Sequence, residues 1–139
     1  MKKILLTLLA LSSISAFAQV GYVDYDYIYK NLPISQQYQK KINAKAKEVR
    51  DYNLETKKMS ENKTYDEKLQ INASRKEALY KVEREYIDLR YKQEEVVKAK
   101  VQEASNTVLK AKELDMIIDK KSRVAGGVDC TQEIFKAIK

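Results

Sequence analysis

After Pro33, neither glycine nor proline recurs until Gly126. These two residues are the strongest breakers of regular structure and the commonest turn formers. A stretch that long without either excludes a sandwich or barrel built from many tight turns. It suits long helices, and the apolar pattern agrees. Leu79, Val82, Tyr86, Leu89, Gln93 and Val96 advance in steps of three and four, as heptad a and d positions do. After a one-residue shift, Val97, Val101, Ala104, Val108 and Ala111 continue the stripe. Tyr38, Ile42, Val49, Tyr52 and Met59 lay out a similar seam earlier in the chain. Between the two seams, Ser60 to Asp66 has no apolar periodicity and predicts a reversal, with Thr64 or Asp66 capping the second helix. That helix is predicted from about Asp66 to Lys112, so at a rise of about 1.5 Å per residue it is about 70 Å long. The first helix, from Ile34 to about Ser60, is too short to cover it alone.

The flanks read differently. Val20-Gly21-Tyr22-Val23-Asp24 is short, β-branched and aromatic, which predicts a strand. Tyr25, Ile28, Tyr29 and Leu32 then share one face of a two-turn helix, and Pro33 marks a kink or a fresh start. Beyond the arm, Leu114-Asp115-Met116-Ile117-Ile118-Asp119 predicts a second strand. A turn at Lys120–Arg123 leads to a brief return strand at Val124-Ala125, and Gly126-Gly127 breaks the chain. Asp129 or Thr131 caps a last helix, Gln132–Ile138. The expected class is therefore α+β and mostly α. A long antiparallel helical hairpin is rooted in a small β-sheet body formed by the N- and C-terminal strands. About three short strands with exposed edges make a thin core, and joining sheets between copies relieves both problems.

The first residues read as a targeting segment. Met1-Lys2-Lys3 is followed by the apolar run Ile4–Leu11 and then by Ala16-Phe17-Ala18. This is a secretory signal peptide pattern, with cleavage expected after Ala18. The run is shorter than the roughly 20 apolar residues that a spanning helix needs. An N-terminal anchoring helix is the alternative reading of the same residues. The expected organisation is signal peptide 1–18, strand and short helix of the body 19–33, hairpin arm 34–112, and C-terminal strands and helix of the body 113–139.

Composition removes several chemistries. The chain has no His and one Cys. That leaves no imidazole ligand, no Ser–His or Cys–His pair, no intrachain disulfide and no thiolate zinc site. Cys130 reads as a buried small hydrophobe, with an intermolecular thiol as the alternative. Asp24, Asp26, Asp115 and Asp119 alternate with apolar residues and read as polar edge groups rather than a metal cluster. No acid, base and nucleophile come together, so neither an enzyme nor a cofactor is expected.

The order of these pieces resembles the Skp/OmpH family of periplasmic chaperones. Four features carry the resemblance: the signal peptide running straight into Val20-Gly21-Tyr22-Val23-Asp24; the charged hairpin after Pro33; Leu114-Asp115-Met116-Ile117-Ile118-Asp119; and Gly127-Val128-Asp129-Cys130-Thr131 leading into Ile134-Phe135-Lys136-Ala137-Ile138-Lys139. The resemblance implies a homotrimer whose strands form a shared β-body and whose three arms enclose a cavity. Unfolded outer-membrane proteins would be held there without ATP. It places Val20, Tyr22, Val23, Met116, Ile117, Ile118 and Val124 in the trimer body. It admits anionic lipid or lipopolysaccharide as a further partner, with no motif that locates the site.

Charge sharpens the expected client surface. Residues 34–112 hold 19 Lys and Arg against 13 Asp and Glu. The remaining residues from Gln19 onward hold 6 against 7. Within the arm the excess lies in the lower half, not at the tip (48–76), which has 7 against 6. Tips in the family are associated with positive charge, so this chain departs from that pattern. Lys40, Lys41, Lys45 and Lys47 are the densest group, and Lys98 and Lys100 add to it. They form either a basic wall that draws in acidic clients or a solvated face paired with Glu83, Glu85, Asp88, Glu94 and Glu95. Of the ten Tyr, Tyr38, Tyr52 and Tyr86 fit the seam. Tyr65, Tyr80 and Tyr91 are candidates for exposed client contacts.

The expected function is an ATP-independent periplasmic holdase for unfolded outer-membrane proteins. The alternative is a structural coiled-coil envelope protein that binds a folded partner. A basic helix also binds nucleic acid weakly through phosphates, but no base-reading motif is present and no specific nucleic acid is expected.

Overall fold

The computed structural model describes residues 18–138. Apart from Ala18, the expected signal peptide lies outside the described residues. The chain begins with strand β1 (Val20–Val23) and helix α1 (Tyr25–Asn31). The arm consists of α2 (Pro33–Ser60) and α3 (Tyr65–Ala111). Strand β2 (Met116–Asp119), a 3-10 turn (Lys120–Ser122), strand β3 (Val128–Asp129) and helix α4 (Thr131–Ala137) complete the body.

Local chemistry sets each boundary. The Asp24 carboxylate accepts from the Tyr27 N–H at 2.9 Å and starts α1. Pro33 occupies the first turn of α2, where a missing N–H costs nothing. Thr64 caps α3 through a full capping box: its hydroxyl faces the Glu67 N–H, while the Glu67 carboxylate accepts from the Thr64 N–H at 2.8 Å. Asn62 turns the chain with φ 60°. Of the two expected caps, Thr64 is the one used. Asp129 accepts from the Thr131 N–H at 2.9 Å as α4 begins, although the residue in the cap position is Cys130.

The sheet has strand order β2-β1-β3, and both pairings are parallel. Val20 lies beside Met116 and Tyr22 beside Ile118 on one side, and Gly21 lies beside Val128 on the other. The hairpin runs antiparallel, so it delivers the chain back to the root, where β2 can align with β1. The return strand expected at Val124-Ala125 does not form. A tight reversal there would have paired it antiparallel to β2. Instead the chain crosses over β1, redirected by Gly126 at φ 69° and Gly127 at φ 87°. The third strand is Val128–Asp129. Arg123 braces the crossover, with its guanidinium 4.1 Å from the Tyr22 ring centroid and a 3.0 Å bond to the Gly126 carbonyl. Val124, expected in the sheet of the body, is fully exposed in this crossover.

The core lies where the arm meets the body. Val97, Val101, Ala104 and Val108 of α3 pack with Ile28 of α1, Leu32 at its C-terminal cap, Ile134 of α4, and Val23, Leu114 and Cys130. Helix α1 thus covers the part of α3 that α2 is too short to reach. Ala111, expected to extend the stripe, is exposed at the last residue of α3. Gly21 permits the close packing of the sheet: a Cβ there would lie 2.8 Å from Leu114 Cδ1 and 3.0 Å from Cys130 Sγ.

Up the arm the packing thins. Ile42 and Gln93 are buried, but no residue from 43 to 92 is. Val49, Tyr52, Leu79, Val82, Tyr86 and Leu89 reach only partial burial. Here the stripe is shared by α2 and α3 alone and carries polar residues between its apolar ones, so its flanks stay open to water.

Candidate functional site

Two surfaces matter, the sheet at the root and the arm above it. At the root, Val23 is buried, while Val20, Tyr22, Ile117 and Ile118 are half-buried. Met116 and Val128 are exposed on the outer strands. Among the described residues, no strand pairs with the outer edge of β2 or of β3. The body therefore has backbone donors and acceptors at both edges beside apolar side chains.

Ion pairs stitch the body together. Lys120 meets Asp24 at 2.8 Å, Lys121 meets Asp26 at 2.6 Å, and Lys112 meets Glu133 at 2.6 Å. The Lys120 hydrogen bond and then the Tyr27 N–H hold the Asp24 carboxyl below its ordinary range. Hydrogen bonding to Thr131 does the same for Asp129, and the Lys112 bond does so for Glu133. The four aspartates weighed as a metal cluster are thereby placed. Asp24 and Asp26 take lysines, Asp115 accepts from the Gln19 N–H at 2.7 Å, and Asp119 caps the 3-10 turn. Among the described residues, no group of three or more His, Cys, Asp or Glu is arranged to hold a metal. Cys130 is fully buried, and burial pushes its thiol pKa up.

On the arm, the candidate lysines separate into two kinds. Lys45 is bound within the hairpin, 2.6 Å from Glu48 and 2.8 Å from Glu85 across the seam. These bonds raise its pKa and lower that of Glu85. Lys47 pairs with Asp51 on its own helix at 2.6 Å. Lys40, Lys41 and Lys98 are exposed, with Lys41 lying 5.8 Å from the Tyr38 ring, and Lys100 is half-buried. Tyr65, Tyr80 and Tyr91 are all exposed, at 76%, 60% and 66%. Tyr80 and Tyr91 lie on one side of α3 together with Ile87, also exposed. Ile87 and Tyr91 line a groove of 320 Å³ with Tyr29, Arg90 and Glu94. Burial, followed by the charge of Glu94, raises the pKa of Tyr29.

Arg75 is the residue that the sequence reading passed over. It reaches across to α2, with its Nη2 2.7 Å from Glu55 and its guanidinium 4.0 Å from the Tyr52 ring centroid. The signal was present, because Arg75 stands four residues before Leu79 on the seam side of α3.

No helix among the described residues is long and apolar enough to cross a membrane. Compared with known proteins, no family model matches the chain and no curated protein is significantly similar to it.

Proposed function

We propose that this chain is an ATP-independent holdase of the periplasm, resembling the Skp/OmpH chaperones. It assembles as a trimer through the edges of its sheet and holds unfolded outer-membrane proteins between its arms. It carries out no covalent chemistry and uses no cofactor. The observation that supports this reading most is the open sheet at the root of a single long arm. Edges β2 and β3, with Met116 and Val128 exposed beside them, are templates for pairing with further strands. The arm adds the means of capture. Its net positive charge draws in anionic chains over distances set by salt. Tyr65, Tyr80, Ile87 and Tyr91 offer apolar faces that need no fixed partner geometry.

The test is the solution mass of residues 19–139, alone and with a denatured β-barrel membrane protein, alongside an aggregation assay. A trimer that binds the client and suppresses its aggregation near stoichiometric ratio is expected. A monomer under both conditions, or no protection, overturns the reading. Affinity for a folded partner alone would instead indicate a structural envelope protein.

A further inference from the structure

The arm has a buried root and a loosely packed outer part, and one residue ties the outer part together. Arg75 of α3 contacts side chains on successive turns of α2. Its Nε donates to Thr56 Oγ1 at 2.7 Å, one terminal nitrogen to Glu55 Oε2 at 2.7 Å, and the other to Met59 Sδ at 3.2 Å. Its Cζ lies over the Tyr52 ring, 4.0 Å from the centroid, and the Tyr52 hydroxyl donates back to the Arg75 carbonyl at 3.2 Å. The Arg75 side chain is 17% exposed, although its position on the seam is one where a heptad places an apolar residue. Around it the seam is half-wet, since no residue from 43 to 92 is buried. The root differs: Val97, Val101, Ala104 and Val108 are buried against α1 and α4.

We propose that Arg75 is a latch that divides the arm in two. The outer hairpin, from about Val49 on α2 to Val82 on α3, opens as a unit while the root stays folded. Segments with few buried apolar contacts open at lower free energy than the core they adjoin. Release of Arg75 turns Val49, Tyr52, Leu79 and Val82 toward solvent. This property belongs to the arm itself and does not depend on what the arm binds.

Hydrogen exchange of the full chain, read by mass spectrometry, tests it. In the unmodified protein, amides between Val49 and Val82 should exchange at least about tenfold faster than those of 97–108. Arg75→Ala should accelerate the outer segment by roughly a further tenfold and leave 97–108 unchanged. Arg75→Lys keeps the charge but loses the planar fork and the stack, so it should fall between the two. Thr56→Val, which removes one acceptor at nearly constant volume, should shift exchange in the same direction by less. Unchanged outer exchange in Arg75→Ala overturns the latch. So does acceleration that spreads equally into 97–108, because the arm would then open only as one cooperative body.

Discussion

Gln93 of α3 donates from one side-chain nitrogen to both the hydroxyl and the carbonyl oxygen of Ser35 on α2, each at 2.9 Å. Both residues are 2% exposed. A polar pair in an otherwise apolar seam fixes the sliding register of two helices, because any shift leaves polar atoms buried without partners. Here it lies beside the first turn of α2 and aligns the whole arm with the body.

Gln93→Leu should therefore lower the unfolding free energy by about 1–3 kcal/mol, since the Ser35 hydroxyl loses its partner while buried. Adding Ser35→Ala should recover most of that loss, because two apolar groups of similar shape replace the pair. Urea denaturation of the unmodified protein and the two variants measures both steps.

Gly21→Ala should destabilise the body by about 1–3 kcal/mol through overpacking. The added methyl meets Leu114, Cys130 and Ile117 at 2.8–3.1 Å, and β1 is held on both sides. Gly126→Ala has open space and strains only its φ of 69°. It should cost about 1 kcal/mol, and thermal unfolding ranks the two.

Acid should loosen the body. Asp24, Asp129 and Glu133 have folded pKa values below their ordinary ones. A depressed carboxylate contributes stability that is fully present above its unfolded pKa and lost as pH falls through the folded value. Stability should hold from neutral pH down to the ordinary carboxylate range and decline below it. Asp24→Asn should lower stability at pH 7 and flatten that decline, as read from urea midpoints at several pH values.

The lysines of α2 should divide by role. Lys45→Gln breaks the tie to Glu85 and should reduce stability with little effect on client capture. Lys40→Gln with Lys41→Gln removes exposed charge and should slow capture of an acidic unfolded client at low salt. That difference should vanish as salt screens the arm. Stopped-flow binding at several ionic strengths distinguishes the two variants.

The arm was legible because a heptad stripe repeats over many turns and each repeat reinforces the last. The start of α3 was legible to within Thr64 or Asp66, and the structure selects Thr64 through its reciprocal bonds with Glu67. The third strand was hidden for the opposite reason: Val128–Asp129 is two residues long and has no periodicity. Its pairing follows from backbone turns at Gly126 and Gly127, which favoured Val124-Ala125 only as long as the chain was assumed to double straight back. Lys45 and Lys98 look alike in sequence, and only the fold shows that one faces a glutamate across the hairpin. The stripe was read as starting at Leu79, and Arg75 was passed over because an arginine scores as polar, although its guanidinium lies 4.0 Å from the Tyr52 ring centroid.

The central strand has a consequence for the order in which the protein folds. Gln19 and Asp115 are hydrogen-bonded while 96 residues apart in sequence, and neither neighbour of β1 precedes the arm. Pairings over such separations are slow when the intervening chain is a coil, because closure entropy must be spent before contacts return it. Here the intervening chain is two helices joined by a short bend, which nucleate from local contacts within microseconds. Once they lie side by side, the ends of a long loop become near neighbours. The arm is thus a splint for the sheet, and the strand made first is completed last.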